Sequence, residues 1–425
     1  MVLNMDKGEN YEVADLSLAE QGRKNIEWAE AHMPIMAKIA KRYEKEQPFA
    51  GMNIGLALHI TKETAVLVRT LRAGGAQVAI AGCNPLSTQD DVAAALAEDG
   101  FHAYGHKGES TEDYYRYLDA VLAQKPQITI DDGGDLVSMI HTKKPELLET
   151  TIGGCEETTT GIIRLRAMEA DGALKYPVVA VNDNKTKHLL DNYYGTGQST
   201  MDGILRATNI LFAGKTFVVC GYGDCGRGVA LRAKGMGSNV IVVEVDSFRA
   251  LSAVYDGYRV MPIEEAAKLG DIFLTVTGDK NIISLDSMKL MKDKAILANA
   301  GHFDVEIDVK SLRENSGGSR QLRPSLEEFT LGGKKLYLCA GGRLVNLGAA
   351  EGHPSEVMAT SFAGQSLACE YLVQNKGKLK AGVITLPEGI DDEIARLQLD
   401  SMGVKTGSLT PEQEKYLHSW EEGTG

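Results

Sequence analysis

Long apolar runs are missing from this chain of 425 residues. No stretch approaches the ~20 residues of a membrane span, and residues 1–10 carry no signal-peptide apolar core, so no membrane partner and a cytoplasmic location are expected. A basic excess is missing too. With 58 acidic against 45 basic residues the formal charge is −13, the wrong sign for a nucleic-acid partner. The six cysteines, Cys83, Cys155, Cys220, Cys225, Cys339 and Cys369, form no C-x-x-C pair and stand at no zinc spacing from a histidine. Buried reduced thiols are therefore expected and no metal is assigned. Repeats and low-complexity segments are absent. What remains, 43% apolar and 24% charged, is a soluble globular composition, and the length implies two or three domains.

The most informative stretch runs from Thr216 to Glu244. Thr216–Cys220 reads as a buried parallel strand that runs straight into Gly221, Gly223 and Gly226 at G-x-G-x-x-G spacing. Gly221 suits the tight turn, Gly223 the approach of a pyrophosphate, and Gly226 the close packing of a helix over Asp224–Lys234. The helix N-terminus supplies free N–H groups to the phosphates. A second strand, Asn239–Val243, ends in Glu244, where a carboxylate accepts from an adenosine ribose and favours NAD over NADP. Arg249 is the group that could meet a 2′-phosphate, but Glu244 would repel that phosphate.

Before this stretch the pattern alternates strand and helix, the mark of parallel βαβ units. Ser17 with Glu20 fits a capping box for a first helix, which Pro34 interrupts or restarts. The strand 52–58 delivers His59, and Thr61 caps the helix Lys62–Arg72. The strand Gln77–Ala81 leads into a polar loop with Ser87, and Thr88 with Asp91 fits another capping box. The strand Ile128–Ile130 ends in Asp131-Asp132-Gly133-Gly134-Asp135. Ligands of such sheets lie beyond the C-terminal strand ends, where His59, the Ser87 loop and Asp132 fall. Residues 153–161 read as a polar, glycine-flanked stretch opening a helix. Lys187 and Asp191, four apart, read from spacing alone as a solvated ion pair. Later strands end in Asn299-Ala300-Gly301-His302 and in a loop carrying Asn346 and His353. A helix Ser355–Gln374 returns the chain to its first part, 380–402 adds a strand and a helix, and Tyr416 and Trp420 on a polar tail suggest docking on another subunit.

Taken together, His59-Ile-Thr61-Lys-Glu63, Ser87-Thr-Gln-Asp90, Asp131-Asp-Gly-Gly-Asp-Leu136, Glu156-Glu-Thr-Thr-Thr-Gly161, Lys187 with Asp191-Asn192, Gly221-Tyr-Gly-Asp-Cys-Gly226, Gly301-His-Phe-Asp304 and Gly342-Arg-Leu-Val-Asn-Leu-Gly348 closely resemble the S-adenosylhomocysteine hydrolase family, from about residue 15 to 415. The resemblance implies an α/β protein of two doubly wound parallel-sheet domains. The substrate domain would comprise 1–189 and 353–402, the Rossmann NAD domain 190–352, and a short C-terminal oligomerisation tail 403–425. It also implies a homotetramer with one NAD per subunit, and domain closure about the substrate. In the family reaction NAD takes hydride from the ribose 3′-OH, and the ketone acidifies the 4′ C–H. Homocysteine then leaves by β-elimination, water adds at 5′, and the hydride returns.

Carried onto this chain, the resemblance places Lys187 beside the 3′-OH with Asp191 orienting it, and Glu157 on the ribose hydroxyls. Asp132 becomes the base for the 4′ proton, with its pKa expected to be raised by crowding and burial. His59 and His302 assist leaving-group protonation and water addition, and Asn192 helps position the reacting hydroxyl. Thr61 and Glu63 face the adenine amino group, and His353 borders substrate and cofactor. Thr158, Thr159, Thr160, Asn192, Gly221, Gly223, Asp224, Cys225, Gly226, Arg227, Gly228, Glu244, Arg249, Ala300, Gly301, His302, Asn346 and His353 map to the cofactor site. Thr196 stands where a cysteine is common in the family and Arg249 where an asparagine is common. Many relatives also end in a longer tail with a lysine and a tyrosine that reach the neighbour's NAD, so weaker NAD retention or a substitute contact from 409–425 is expected. The alternatives are an S-inosylhomocysteine hydrolase, an NAD-dependent 2-hydroxy acid dehydrogenase, or a silent nucleotide-binding regulator.

Overall fold

Two sheets carry the chain in the computed structural model, which describes residues 6–8, 10–420 and 423. The first has nine strands in the order 6–8, 11–13, 102–105, 77–81, 53–57, 128–131, 153–156, 177–180, 382–384. Only its first pair is antiparallel. The second has eight in the order 259–260, 239–243, 216–220, 272–275, 295–299, 334–339, 326–331, 319–323, parallel up to 334–339 and antiparallel over the last two. In each sheet the chain leaves a central strand in one direction and later returns to that strand's other side. These reversals, 53–57 beside 128–131 and 216–220 beside 272–275, open the crevices in which doubly wound sheets bind ligands.

The apolar runs read as strands lie where their burial pattern demands, and the helix Ser355–Gln374 forms as expected. Most of its 20 residues are buried. It packs against the helices Pro34–Glu46 and Lys62–Ala73, with Arg42 donating to both oxygens of Glu370 at 2.9 and 2.6 Å. The strand Gly382–Ile384 then pairs with Pro177–Ala180 and returns the chain to the first sheet.

Four expectations are corrected. Residues 153–156, expected as part of a polar stretch, form a fully buried strand between two others. Glycine suits it because a Cβ at 153 would lie 2.7 Å from Leu372 and one at 154 would lie 2.8 Å from Thr129. The Ser17–Glu20 box does not form. Asp15 instead accepts from the Ser17 N–H and caps a single 3₁₀ turn, so the helix starts at Ala19. The Thr88–Asp91 box is replaced by a helix starting at Asp90 after Gln89, whose side chain accepts from Lys62 N. The antiparallel strands 319–323 and 326–331 were not expected. The first is exposed throughout and therefore lacks the apolar alternation that marks a strand.

No helix among the described residues is long and apolar enough to cross a membrane. In the tail, Thr410 and Gln413 cap the helix Pro411–Leu417 reciprocally, with Tyr416 and Trp420 exposed. Residues 421–422 and 424–425 of the expected tail lie outside the described residues.

One buried acid should give the fold a pH signature. Burial raises Glu109 to about 8, and its Oε1 has no partner among the described residues. The folded protein therefore holds this proton where the unfolded chain has lost it, and this contribution to stability declines as pH rises from about 4 to about 8. Glu109→Gln is expected to raise the melting temperature more at pH 8 than at pH 5, which a pair of thermal scans would check.

Candidate functional site

The reversal in the first sheet brings together residues far apart in sequence. His59 follows the strand Asn53–Ala57 and Asp132 follows Ile128–Asp131. Across the crevice His59 Nε2 lies 3.1 Å from Asp132 Oδ2. His59 Nδ1 meets the Ser87 hydroxyl at 2.8 Å and Cys83 Sγ at 3.2 Å. The second sheet contributes from the far side. His302, in the loop after Ala295–Asn299, places Nδ1 3.4 Å from Asp132 Oδ1. Its ring approaches Gly133 so closely that a Cβ there would sit 2.6 Å from Nε2, and residue 133 also has a φ of +110°. Glycine meets both demands.

Asp132 has the opposite charge behaviour to that expected. Burial does push its pKa up, but His302, His59 and Lys187 outweigh burial and hold the carboxyl well below the usual range. Burial lowers the pKa of His302 itself, yet the His59 bond and the Lys187 charge act on Asp132 even when His302 is neutral. Crowding by carboxylates is the smaller effect because the nearest charges are positive.

Lys187 and Asp191 are buried, not solvated, with the ammonium 3.2 Å from Asp191 Oδ2 and 3.7 Å from Glu157 Oε1. Lys187 also donates to Asn192 Oδ1 (2.8 Å) and Asn182 Oδ1 (3.2 Å). The pair stands where a short helical turn opens into a π-helix, His188–Gly195, a wide turn often found at working sites. Burial opposes charge on Lys187, but Asp191 and Glu157 reverse this and raise its pKa, so it stays an ammonium. Asp191, hydrogen-bonded also to His353 Nδ1, is held low against burial by the Lys187 ammonium and its contacts with His353. Burial raises Glu157, which accepts from Ser361 and Gln365 of the long helix.

His59, Asp132, His302, Glu157, Lys187, Asp191 and Asn192 line a cavity of ≈ 140 Å³, together with Thr61, Glu63, Asn346 and His353. A second cavity of ≈ 580 Å³ lies over the glycine turn of the second sheet. The two share Thr158, Asn192, Cys225, Ala300 and His302 as common wall. Thr159, Thr160, Gly221, Gly223, Asp224, Glu244, Arg249 and Gly301 line the larger one, as expected. A Cβ at Gly223 would meet nothing nearer than the Arg249 guanidinium at 3.9 Å, which leaves the open cradle that a pyrophosphate requires. The donors, the volume and the acid at the second strand's end fit a dinucleotide. Glu244 accepts from the backbone N–H groups of Tyr222, Val245 and Asp246 at 2.7–2.9 Å.

Five expected cofactor residues do not reach this wall. Gly226 faces the Gly221 carbonyl and Gly228 the Tyr193 carbonyl, and both serve close packing. Arg227 lies 3.9 Å from Asp256. Asn346 and His353 border the smaller cavity instead. Thr196 donates its hydroxyl to Cys225 Sγ at 3.5 Å and lies 3.4 Å from His353 Nε2.

Sequence reasoning missed Asn182, Cys83, the loop Thr277–Asp279, and the partners supplied by the long helix. The loop had a signal, since it caps the strand beside the glycine turn. The partners from the long helix had none, because their contacts span up to 292 positions, as with Ser355 on Glu63. Glu306 was also missed. Its carboxylate accepts from the backbone of Thr277 (3.0 Å) and Gly278 (2.7 Å) and so ties two cofactor-side loops together.

Residues 10–152 match a family model described as S-adenosyl-L-homocysteine hydrolase, and residues 192–352 match the NAD binding domain of S-adenosyl-L-homocysteine hydrolase. Among relatives, the chain is 58% identical to the adenosylhomocysteinase of Saccharolobus solfataricus over 417 residues, covering 98% of this chain and 100% of that protein. It is 56% identical to the S-inosyl-L-homocysteine hydrolase of Methanocaldococcus jannaschii, covering 97% and 100%. A solved structure of a dipicolinate synthase chain from Bacillus halodurans shares the fold at a TM-score of 0.50 and 13% identity, covering 77% of this chain and 99% of that one. With both family models falling on these two sheets, and full-length relatives well above half identical, the chain belongs to the S-adenosyl-L-homocysteine hydrolase family.

Proposed function

We propose that this enzyme hydrolyses S-adenosyl-L-homocysteine reversibly to adenosine and L-homocysteine. The observation that carries this reading is the single connected space. The Lys187–Asp191–Glu157–Asn192 group and the Asp132–His59–His302 group open into one cavity that shares its wall with the dinucleotide groove. NAD, when bound in that groove, supplies a reversible hydride acceptor. The rest is done by side chains of the chain. Glu157 binds the ribose hydroxyls and takes the O3′ proton, while the Lys187 ammonium stabilises the negative charge that develops at O3′, with Asn192 aligning that hydroxyl and Asp191 holding the ammonium in place. Asp132, ionised and beside two imidazoles, takes the C4′ proton. His59 and His302 then exchange protons with the departing sulfur and the entering water. The two walls come from different sheets, which supports closure about the substrate and exclusion of water.

The same reading includes a cytoplasmic location and a homotetramer, the latter supported by the exposed Tyr416 and Trp420. The substrate domain of this reading comprises 1–189 and 353–402, and the NAD domain 190–352.

The identity of the base rests on Glu63. Its Oε1 accepts from the Ser355 hydroxyl at 2.7 Å, with Lys62 Nζ at 3.4 Å. This leaves Oε2 for the amino group of adenine. Hypoxanthine sets a carbonyl oxygen there, and one unpaired buried contact costs ~1–3 kcal/mol, or roughly 10- to 100-fold in preference. The S-inosyl relative makes the inosyl substrate the second reading. Purified enzyme offered both thioethers, with thiol release followed, should prefer the adenosyl substrate by that margin. Equal or reversed rates would select the second reading, and full-speed release after NAD has been stripped would reject both.

A further inference from the structure

Glu156 has no role in the chemistry above, yet it is fully buried at the end of its strand, one position before Glu157 and paired in register with Asp131. Its Oε1 accepts two backbone N–H bonds, from Gly133 at 2.8 Å and from Thr158 at 3.0 Å. Gly133 directly follows Asp132, and Thr158 directly follows Glu157. The sheet's own bonds stop just short of both, at Asp132 N to Ala57 O (3.0 Å) and Glu157 N to Asp131 O (2.9 Å). Beyond that point one carboxyl oxygen joins the two turns. Space for it exists because residue 161 is glycine, where a Cβ would lie 2.2 Å from Oε1. The other oxygen, Oε2, is buried without a partner among the described residues. Burial, reinforced by Asp131 and Asp132, raises the acid well above the carboxylate range, which is what a neutral carboxyl used for its acceptor oxygen requires.

We infer that Glu156 is a positioning residue that sets the spacing of Asp132 and Glu157 by gripping Gly133 and Thr158 with one oxygen. The inference rests on the reaction proposed above, in which Asp132 removes the C4′ proton. Two variants separate the acceptor from the acid. Glu156→Gln keeps an acceptor oxygen at the same reach, whereas Glu156→Asp keeps the acid but withdraws it by one methylene.

The measurement is exchange of the nucleoside C4′ proton with solvent deuterium, alongside thermal melting, on NAD-loaded enzyme. Glu156→Gln is expected to exchange within about threefold of the parent. Glu156→Asp is expected to be slower by about a hundredfold, the effect of misplacing a reacting group by about 1 Å, at a melting temperature within a few degrees of the Gln variant. A merely structural residue would instead show rates that follow the folded fraction. An aspartate variant exchanging at the parental rate, or a glutamine variant as slow as the aspartate one, would overturn the inference. A parent enzyme without any C4′ exchange would count against the proposed reaction, not against the role of Glu156.

Discussion

Asp132→Asn is expected to lower homocysteine release by about 10²–10⁴-fold, the usual contribution of a positioned general base. The amide keeps the shape of the side chain and its place between His59 and His302, but it cannot accept the C4′ proton. The neighbours decide the size of the effect. Because His59, His302 and Lys187 keep Asp132 ionised against burial, the base of the proposed reaction is available at neutral pH and the whole of its contribution should be lost. Hydride transfer precedes this proton transfer, so the variant should still develop reduced-nicotinamide absorbance when mixed with adenosine. C4′ deuterium exchange should be nearly abolished. If the variant released thiol at the parental rate, the base would have to be another group.

Lys187→Met should be the most damaging substitution for stability. It leaves Asp191 and Glu157 buried with no ammonium between them, and breaking a buried ion pair by removing one partner costs about 3–5 kcal/mol. Activity should fall as well, since in the proposed reaction Lys187 brings the positive charge to O3′, and no other lysine or arginine among the described residues lines the cavity. The pH dependence has a definite sign. In the parent Asp191 is held low, so its contribution to stability is present above the unfolded carboxylate pKa and is lost only in strong acid. Without Lys187 the buried carboxyls titrate upward, and protons bind the folded state more tightly than the unfolded one. The deficit in melting temperature should therefore be larger at pH 8 than at pH 5. A deficit independent of pH would mean that the carboxylates are stabilised by something other than this lysine.

Much of the molecule was legible before folding. Thr216–Cys220 could be read as a strand because four of its five residues are buried and apolar, and Gly221–Gly226 as a phosphate turn because strand, glycines and helix follow in order. Thr61 could be read as a helix cap because it precedes a clear amphipathic run, and its hydroxyl does accept from Thr64 N at 3.3 Å. Gly153–Glu156 could not be read as a strand. Two glycines and a glutamate carry no strand signal, and their burial is imposed by neighbours on both sides. The exposed strand 319–323 failed for the converse reason, since it buries no side chain that could mark it.

The sequence by itself determined most of the strands and helices, and that His59, Asp132, Gly221 and His302 stand at strand ends, because such signals are local and periodic. Tertiary structure decided the rest. The order of strands makes 53–57 and 128–131 neighbours, and no periodicity specifies which buried strand lies beside which. The long helix brings Ser355, Ser361 and Gln365 to acids some 200 to 300 positions away. Burial turned Lys187 and Asp191 from a surface pair into a charged core. The ionisation of Asp132 depends on the field of His59, Lys187 and His302, a sum over charges in space that spacing along the chain does not contain.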